Sequence, residues 1–350
     1  MLSPVVVPDP SLPQSVTIWE VGPRDGLQNE SAVVATDVKA QFIERLAAAG
    51  LRTVEATSMV HPKWVPQLAD AEELLSRLPA LDGVRLPVLV PNERGLARAQ
   101  EHGVRDIAVF LSATETFSQK NLNRSVADAL AMTVPVVATA KAAGLGVRGY
   151  VSMCFADPWE GRTEIGRVVD VCAQLLEMGV DELSLGDTIG VATAGHVTAL
   201  LAALTGAGIG VDRLGVHFHD TYGQALANTL AALRSGVTVV DSSAGGLGGC
   251  PFAKNATGNL ATEDLVWMLH GLGIHTGVDL PALVRTSQWM AAQLGRPSAS
   301  RVVAALGPEL AEADALSDSD SGSDSDSDSG SGGDSDSDRA GDAAEATAAR

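Results

Sequence analysis

Between Ser15 and Ser243 a short apolar run is followed by a helix-patterned stretch, and the pattern recurs until eight runs have passed. The runs are Ser15–Trp19, Arg52–Ala56, Leu86–Val90, Asp106–Ser112, Val147–Phe155, Asp181–Gly186, Leu214–His219 and Val237–Ser243. The stretches between them carry helical apolar spacing, for example Val38–Ala49 (closed by Gly50), Ser125–Ala143 and Thr163–Met178. Strands that alternate with helices build a parallel sheet covered by helices. Eight such units over about 250 residues match the count of a (β/α)8 barrel. A doubly wound open sheet competes, but it uses fewer strands, and no GxGxxG loop follows the first run. The expected fold is α/β, a (β/α)8 TIM barrel.

Two more helical patterns, Glu263–Leu272 and Leu280–Leu294, follow the eighth run and are expected to pack on the barrel. The composition then changes: Ser317 to Asp338 is almost wholly Ser, Asp and Gly. Such a segment cannot bury enough apolar surface to offset its ordering entropy. The chain therefore divides into an N-terminal extension (1–14), a barrel with its C-terminal helices (15–300) and a disordered acidic tail (301–350). From Glu309 onward 13 acidic side chains face 2 basic ones, so 11 of the 19 net negative charges lie there. The body is only mildly acidic and has no basic stripe with interleaved aromatics, which excludes nucleic acid as a partner. No apolar run approaches the roughly 20 residues that span a bilayer, so no membrane is expected. Three cysteines, Cys154, Cys172 and Cys250, lack CxxC spacing and suit a reducing compartment. The Pro-rich Met1–Pro8 segment has neither a signal h-region nor a transit-peptide pattern, which points to the cytosol.

In a barrel the C-terminal ends of the strands converge on one mouth. Those ends carry Arg24 and Asp25 (first), Glu55 (second), Asp187 (sixth), and His217 and His219 (seventh). Residues at i and i+2 of a strand share a face, so His217 and His219 can serve one metal ion together. Beyond the eighth run, Ala244–Asn259 holds four glycines in five residues, an entropic cost that a mobile or closely approaching loop explains. Its Cys250 is expected to be accessible. Near a cation and Arg24 that thiol would be more acidic than the free value of about 8.5. Cys154 and Cys172 look structural.

The stretches Glu20–Glu30, Val54–Ser58, Pro62–Gln67, His217–Asp220 and Gly245–Pro251 resemble those of 3-hydroxy-3-methylglutaryl-CoA lyases, over about residues 15–295. The resemblance implies Mg2+ or Mn2+ held by Asp25, His217, His219 and Asn259. It further implies an acyl-CoA substrate, retro-Claisen cleavage to acetyl-CoA and acetoacetate, and room for a homodimer. Arg24 would stabilise the enolate, Cys250 would carry its proton, and Glu55 would orient Arg24 or the metal-bound water. Asp187 is the other carboxylate to test as base, and Arg24, Gln28 and Trp159 are expected at the substrate. Trp159 and Phe252 stand where the family usually has Tyr, and His61 where Ser is frequent; these bear on the acyl pocket. Two competing readings are a Claisen acyltransferase joining acetyl-CoA to a 2-oxo acid, and a retired barrel acting as scaffold. Leu27, where such a synthase would carry an acidic residue, opposes the first. The intact Arg24, Asp25, His217, His219, Cys250 and Asn259 oppose the second.

Overall fold

The computed structural model describes residues 3–249 and 258–321. Eight strand positions form the sheet: β1 Thr17–Glu20, β2 in two pieces (Thr53–Val54 and Thr57–Ser58), β3 Val88–Leu89, β4 Asp106–Ser112, β5 Gly146–Ser152, β6 Glu182–Asp187, β7 Leu214–Phe218 and β8 Val239–Ser242. All pair in parallel with their sequence neighbours, and β1 pairs with β8 through Thr17–Val239 to Glu20–Ser242. The first piece of β2 pairs with β1 and the second with β3, which closes the ring. The expected barrel is thus present.

The helices form where the sequence repeats at 3.6 residues. In the helix Ile165–Glu177, Val168, Val171, Cys172 and Leu175 fall on one stripe and are buried against the strands. Outward-facing strand residues complete that core: Val147 and Val151 in β5, Leu183 and Leu185 in β6. The inward face differs from the usual layers of branched apolar side chains. Here Arg148 and Tyr150 of β5, Ser184 of β6 and Asp241 of β8 are buried polar groups.

Among the described residues two α-helices escape the sequence reading, one in mid-chain and one after residue 300. Glu115–Leu122 precedes Val126–Ala142, and Asn123 at φ 54° breaks the two apart. Its eight residues are mostly polar, with only Phe117 and Ser118 buried, so it has almost no apolar stripe to find. Among the described residues no single helix is long and apolar enough to cross a membrane.

The boundary placed at residue 300 also needs correction. The chain separates into units Met1–Leu310 and Ala311–Arg350, and Arg301–Ser321 is helical. Val303, Leu306 and Leu310 recur at 3–4-residue spacing and are buried, so residues 301–310 belong to the barrel unit. Most of the Ser/Asp-rich segment lies outside the described residues. The N-terminal extension is fastened too: Val7 N–H donates to Gly271 O at 2.9 Å, and Leu12 is buried.

Candidate active site

The first site element grows directly out of β1. After Glu20 the chain turns through a wide π-type turn, Gly22–Gly26, in which the Val21 carbonyl accepts from Arg24, Asp25 and Gly26 N–H. Glu20 fixes this turn from beneath. Its buried carboxylate accepts from Gly22 N–H (2.8 Å), Ala244 N–H (2.9 Å) and Thr262 Oγ1 (2.6 Å). A Cβ at Gly22 would meet Glu20 Oε1 at 2.6 Å, so only glycine lets that carboxylate sit here. Burial raises Glu20 to about 7, against those three hydrogen bonds.

Arg24 and Asp25 leave the turn toward different partners. Arg24 Nε donates to Glu55 Oε1 at 2.9 Å and Nη2 to Oε2 at 3.3 Å, while Nη1 reaches Asp25 Oδ1 at 2.6 Å. Glu55 lies in the gap between the two pieces of β2, is fully buried, and also accepts from Tyr150 Oη and from Trp19 Nε1 (3.4 Å). Burial acts to lower the Arg24 pKa, but Glu55 and Asp25 outweigh it and keep the guanidinium charged. Asp25 shows the mirror balance: burial acts to raise it, but Arg24, His217 and His219 bring it down to about 2.

His217 in β7 and His219 just after it bring their Nε2 atoms to 3.2 Å, and candidate ligand atoms of Asp25, His217 and His219 all lie within 4.8 Å of one another. Asn259 arrives by a separate route. Leu260 N–H donates to Phe218 O, and an isolated bridge pairs His219 with Asn259, so the segment returning from the glycine-rich loop lies along the end of β7. Asn259 Nδ2 donates to Asp25 Oδ2 (2.8 Å) and Leu247 O (3.0 Å). Gly248, at φ 119°, passes so close that a Cβ there would meet Asn259 Nδ2 at 2.6 Å, which explains one glycine of the loop.

These residues fit a hard divalent ion. Two imidazole nitrogens 3.2 Å apart match the edge, about 3 Å, of an octahedron with corners about 2.1 Å from its centre. Asn259 Oδ1 is buried and has no partner among the described residues, as expected of an atom reserved for a cation. Burial, then the His217 charge, lower His219 to about 4, so it offers a neutral lone pair. His217 is raised: burial opposes the charge, but Asp241 and Asp25 outweigh it.

Other expected residues fall elsewhere. Asp187 shares the parity of Leu183 and Leu185, the helix-facing side of β6, rather than that of Ser184. Its two oxygens accept from Val191 N–H (3.0 Å) and Ala192 N–H (2.9 Å), which ties the following loop to the strand. Burial raises it to about 6 despite those bonds, but its carboxylate is already engaged. Trp159 sits half-exposed between the arms of a small hairpin (Ala156–Asp157 with Gly161–Arg162), with Lys120 Nζ 4.8 Å from its ring. Gln28 is half-buried just after the π-type turn, and His61 is exposed. Cys154 and Cys172 are buried, and burial pushes both thiols up, Cys172 to about 12. Cys250 and Phe252 lie outside the described residues.

Sequence reasoning missed Glu20, Tyr150, Arg148 and Asp241. The last two carried a readable signal. A lone Arg in β5 and a lone Asp in β8, each inside an apolar run, are charges that a buried strand keeps only when they meet.

Comparison with known proteins points to one family. The HMGL-like family model matches residues 15–290. A curated mitochondrial hydroxymethylglutaryl-CoA lyase of Arabidopsis thaliana is 50% identical over 295 residues, which are 84% of this chain. The chain spans 63% of that relative's length. A crystal structure of hydroxymethylglutaryl-CoA lyase from Pseudomonas aeruginosa superimposes with a TM-score of 0.83 at 47% identity, covering 85% of this chain and 99% of that one. An HMG-CoA lyase from Acinetobacter baumannii, solved in complex with coenzyme A and 3-methylmalate, superimposes at 0.80 with 34% identity, covering 85% and 97%.

Proposed function

Because the chain belongs to the HMGL-like family, we propose that it is a carbon–carbon lyase that cleaves 3-hydroxy-3-methylglutaryl-CoA into acetyl-CoA and acetoacetate. The observation that carries this reading is the convergence of Asp25, His217 and His219 within 4.8 Å at the barrel mouth, beside the buried Arg24. Asp25, His217, His219 and the Asn259 carbonyl would hold Mg2+ or Mn2+. When bound, the ion supplies a Lewis acid at the substrate's oxygens.

Cleavage begins when a base removes the 3-hydroxyl proton. The oxygen electrons form the new carbonyl of acetoacetate, the bond from C3 to the thioester α-carbon breaks, and its electron pair leaves as the acetyl-CoA enolate. The negative charge exists only from the transition state onward, so a fixed cation lowers the barrier there. Arg24 meets that requirement: Glu55 holds its Nε edge, so it need not reorganise as charge develops. Cys250 then delivers a proton to the enolate carbon. Asp25 is too weak a base at about 2 to take the hydroxyl proton itself. Asp187 has a suitable value near 6, but its oxygens are engaged with the backbone.

The relative bearing coenzyme A supports an acyl-CoA substrate. The sparse cysteines, with Cys154 and Cys172 free among the described residues, support a reducing compartment, and we propose that the enzyme is cytosolic. Incubation with a panel of 3-hydroxyacyl-CoAs, with products resolved by chromatography, tests the reading. Acetyl-CoA and acetoacetate in equal amounts from the hydroxymethylglutaryl thioester are expected. Acetyl-CoA consumption with a 2-oxo acid, and no cleavage, would instead make the chain an acyltransferase.

A further inference from the structure

The two imidazoles are not supported alike. His219 Nδ1 is buried without a partner among the described residues. His217 Nδ1 meets Asp241 Oδ2 at 3.2 Å, and this carboxylate is itself held by two further groups. Ser184 Oγ donates to the same Oδ2 at 2.7 Å, and Arg148 Nη2 lies 2.7 Å from Oδ1. Arg148 in turn stands 2.9 Å from Glu182 Oε1. The Arg148 contacts are close ion pairs rather than aligned hydrogen bonds. Its guanidinium lies 4.0 Å from the Trp19 ring centre and 5.2 Å from that of Tyr150. Arg148, Ser184 and Asp241 are all at most 2% exposed, so the group is locked inside the barrel, beneath the mouth.

We propose that Asp241, clamped by Arg148 and Ser184, is a positioning residue that fixes the ring orientation and the proton of His217. The inference rests on the proposed metal-binding reading of the Asp25–His217–His219 cluster. With the neutral ring's proton on Nδ1, directed at Asp241, the Nε2 lone pair faces Asp25 and His219. Carboxylate partners of this kind set both the tautomer and the basicity of a ligating imidazole. Arg148 and Ser184 keep the carboxylate from rotating or taking up the proton. The charged barrel interior is thereby explained: it extends the ligand cluster downward through β7, β8, β6 and β5 in turn. The unequal support also makes His217 the ligand whose geometry is set before an ion arrives.

The test uses the full chain, stripped of metal, with Mn2+ as probe and no substrate. Mn2+ affinity is read by calorimetry and by the electron paramagnetic resonance of free Mn2+. Asp241→Asn preserves size but can turn its amide to donate to Nδ1, moving the ring proton to Nε2. It should weaken Mn2+ binding by roughly 10–100-fold, the usual cost of losing such a partner. In alkaline buffer, two-bond 1H–15N spectra should show the His217 proton on Nδ1 in the wild type and on Nε2 in the variant. Unchanged affinity together with an unchanged tautomer would overturn the proposal. Should Asp241→Asn fail to fold, Ser184→Ala decides, because it removes one hydrogen bond to Asp241 and nothing from the cluster. A several-fold weaker Mn2+ affinity is expected, and wild-type affinity would overturn the assignment. Since no readout involves turnover, a chain that binds Mn2+ but cleaves no acyl-CoA would sink the lyase reading and leave this inference standing.

Discussion

Arg24→Gln is the substitution whose consequences can be worked out most fully. Arg24 makes three charge-assisted contacts, two with Glu55 (2.9 and 3.3 Å) and one with Asp25 (2.6 Å). Breaking a buried ion pair by removing one partner costs about 3–5 kcal/mol, because the other charge is left uncompensated. Glu55 would keep its Tyr150 and Trp19 donors, and Asp25 would keep Asn259, so the expected loss lies at the lower end, about 3 kcal/mol. Removing one donor from a developing oxyanion lowers kcat by roughly 10²–10³, and Arg24 contributes a full charge besides. We therefore expect kcat to fall by roughly 10³ or more while KM changes by less than about threefold, the pattern of a contact made only in the transition state. Urea unfolding gives the stability change, and steady-state cleavage kinetics give the two constants separately. Wild-type kcat with a raised KM would refute the reasoning and make Arg24 a ground-state anchor for a substrate anion.

Cys250→Ser should retain fold and Mn2+ affinity yet lose roughly 10²–10⁴ in kcat, since a serine hydroxyl is far less acidic than a thiol; wild-type turnover would remove cysteine from the mechanism. Asp187→Asn should lower stability by about 1–3 kcal/mol, because one amide oxygen cannot replace two carboxylate acceptors, with kcat within about tenfold. A far larger loss of kcat at unchanged stability would restore Asp187 as the base. Glu20 at about 7 and Glu263 at about 8 are buried carboxyls raised above their ordinary value of 4.5. Folding therefore favours their protonated forms, so their contribution is full below about pH 4.5 and lost as pH rises through 7 to 8. The thermal midpoint should fall over that rise, and Glu263→Gln should flatten the fall; an equal slope in the variant would refute the assignment.

The eight-strand rhythm was legible because each barrel strand is a short apolar run and each helix carries its own stripe. The second strand shows where that signal weakens: Glu55 interrupts it, and the strand splits around the residue that holds Arg24. The cluster of possible metal ligands was half legible. His217 and His219 announce themselves by spacing of two, whereas Asn259 reaches Asp25 only because its segment runs back along β7, a contact across 234 residues. The facing of Asp187 was not legible from its strand-end position alone, because one residue decides whether a side chain faces the barrel or the helices. Arg148 and Asp241 were passed over because apolar neighbours make a strand readable while concealing the charges within it. The last helix was missed at the same stroke as the tail was found, since Val303, Leu306 and Leu310 lie in a short stretch just before the Ser/Asp run and were counted with it.

The central claim is that Asp25, His217, His219 and Asn259 hold one divalent ion on which acyl-CoA cleavage depends. Metal-stripped protein should be titrated with Mn2+ while the release of acetyl-CoA from 3-hydroxy-3-methylglutaryl-CoA is followed. No cleavage is expected at the start, followed by a rise that levels off at one Mn2+ per chain, with the same end point absent in His217→Ala. Full turnover in the stripped protein, or a rise that His217→Ala leaves intact, would contradict that claim.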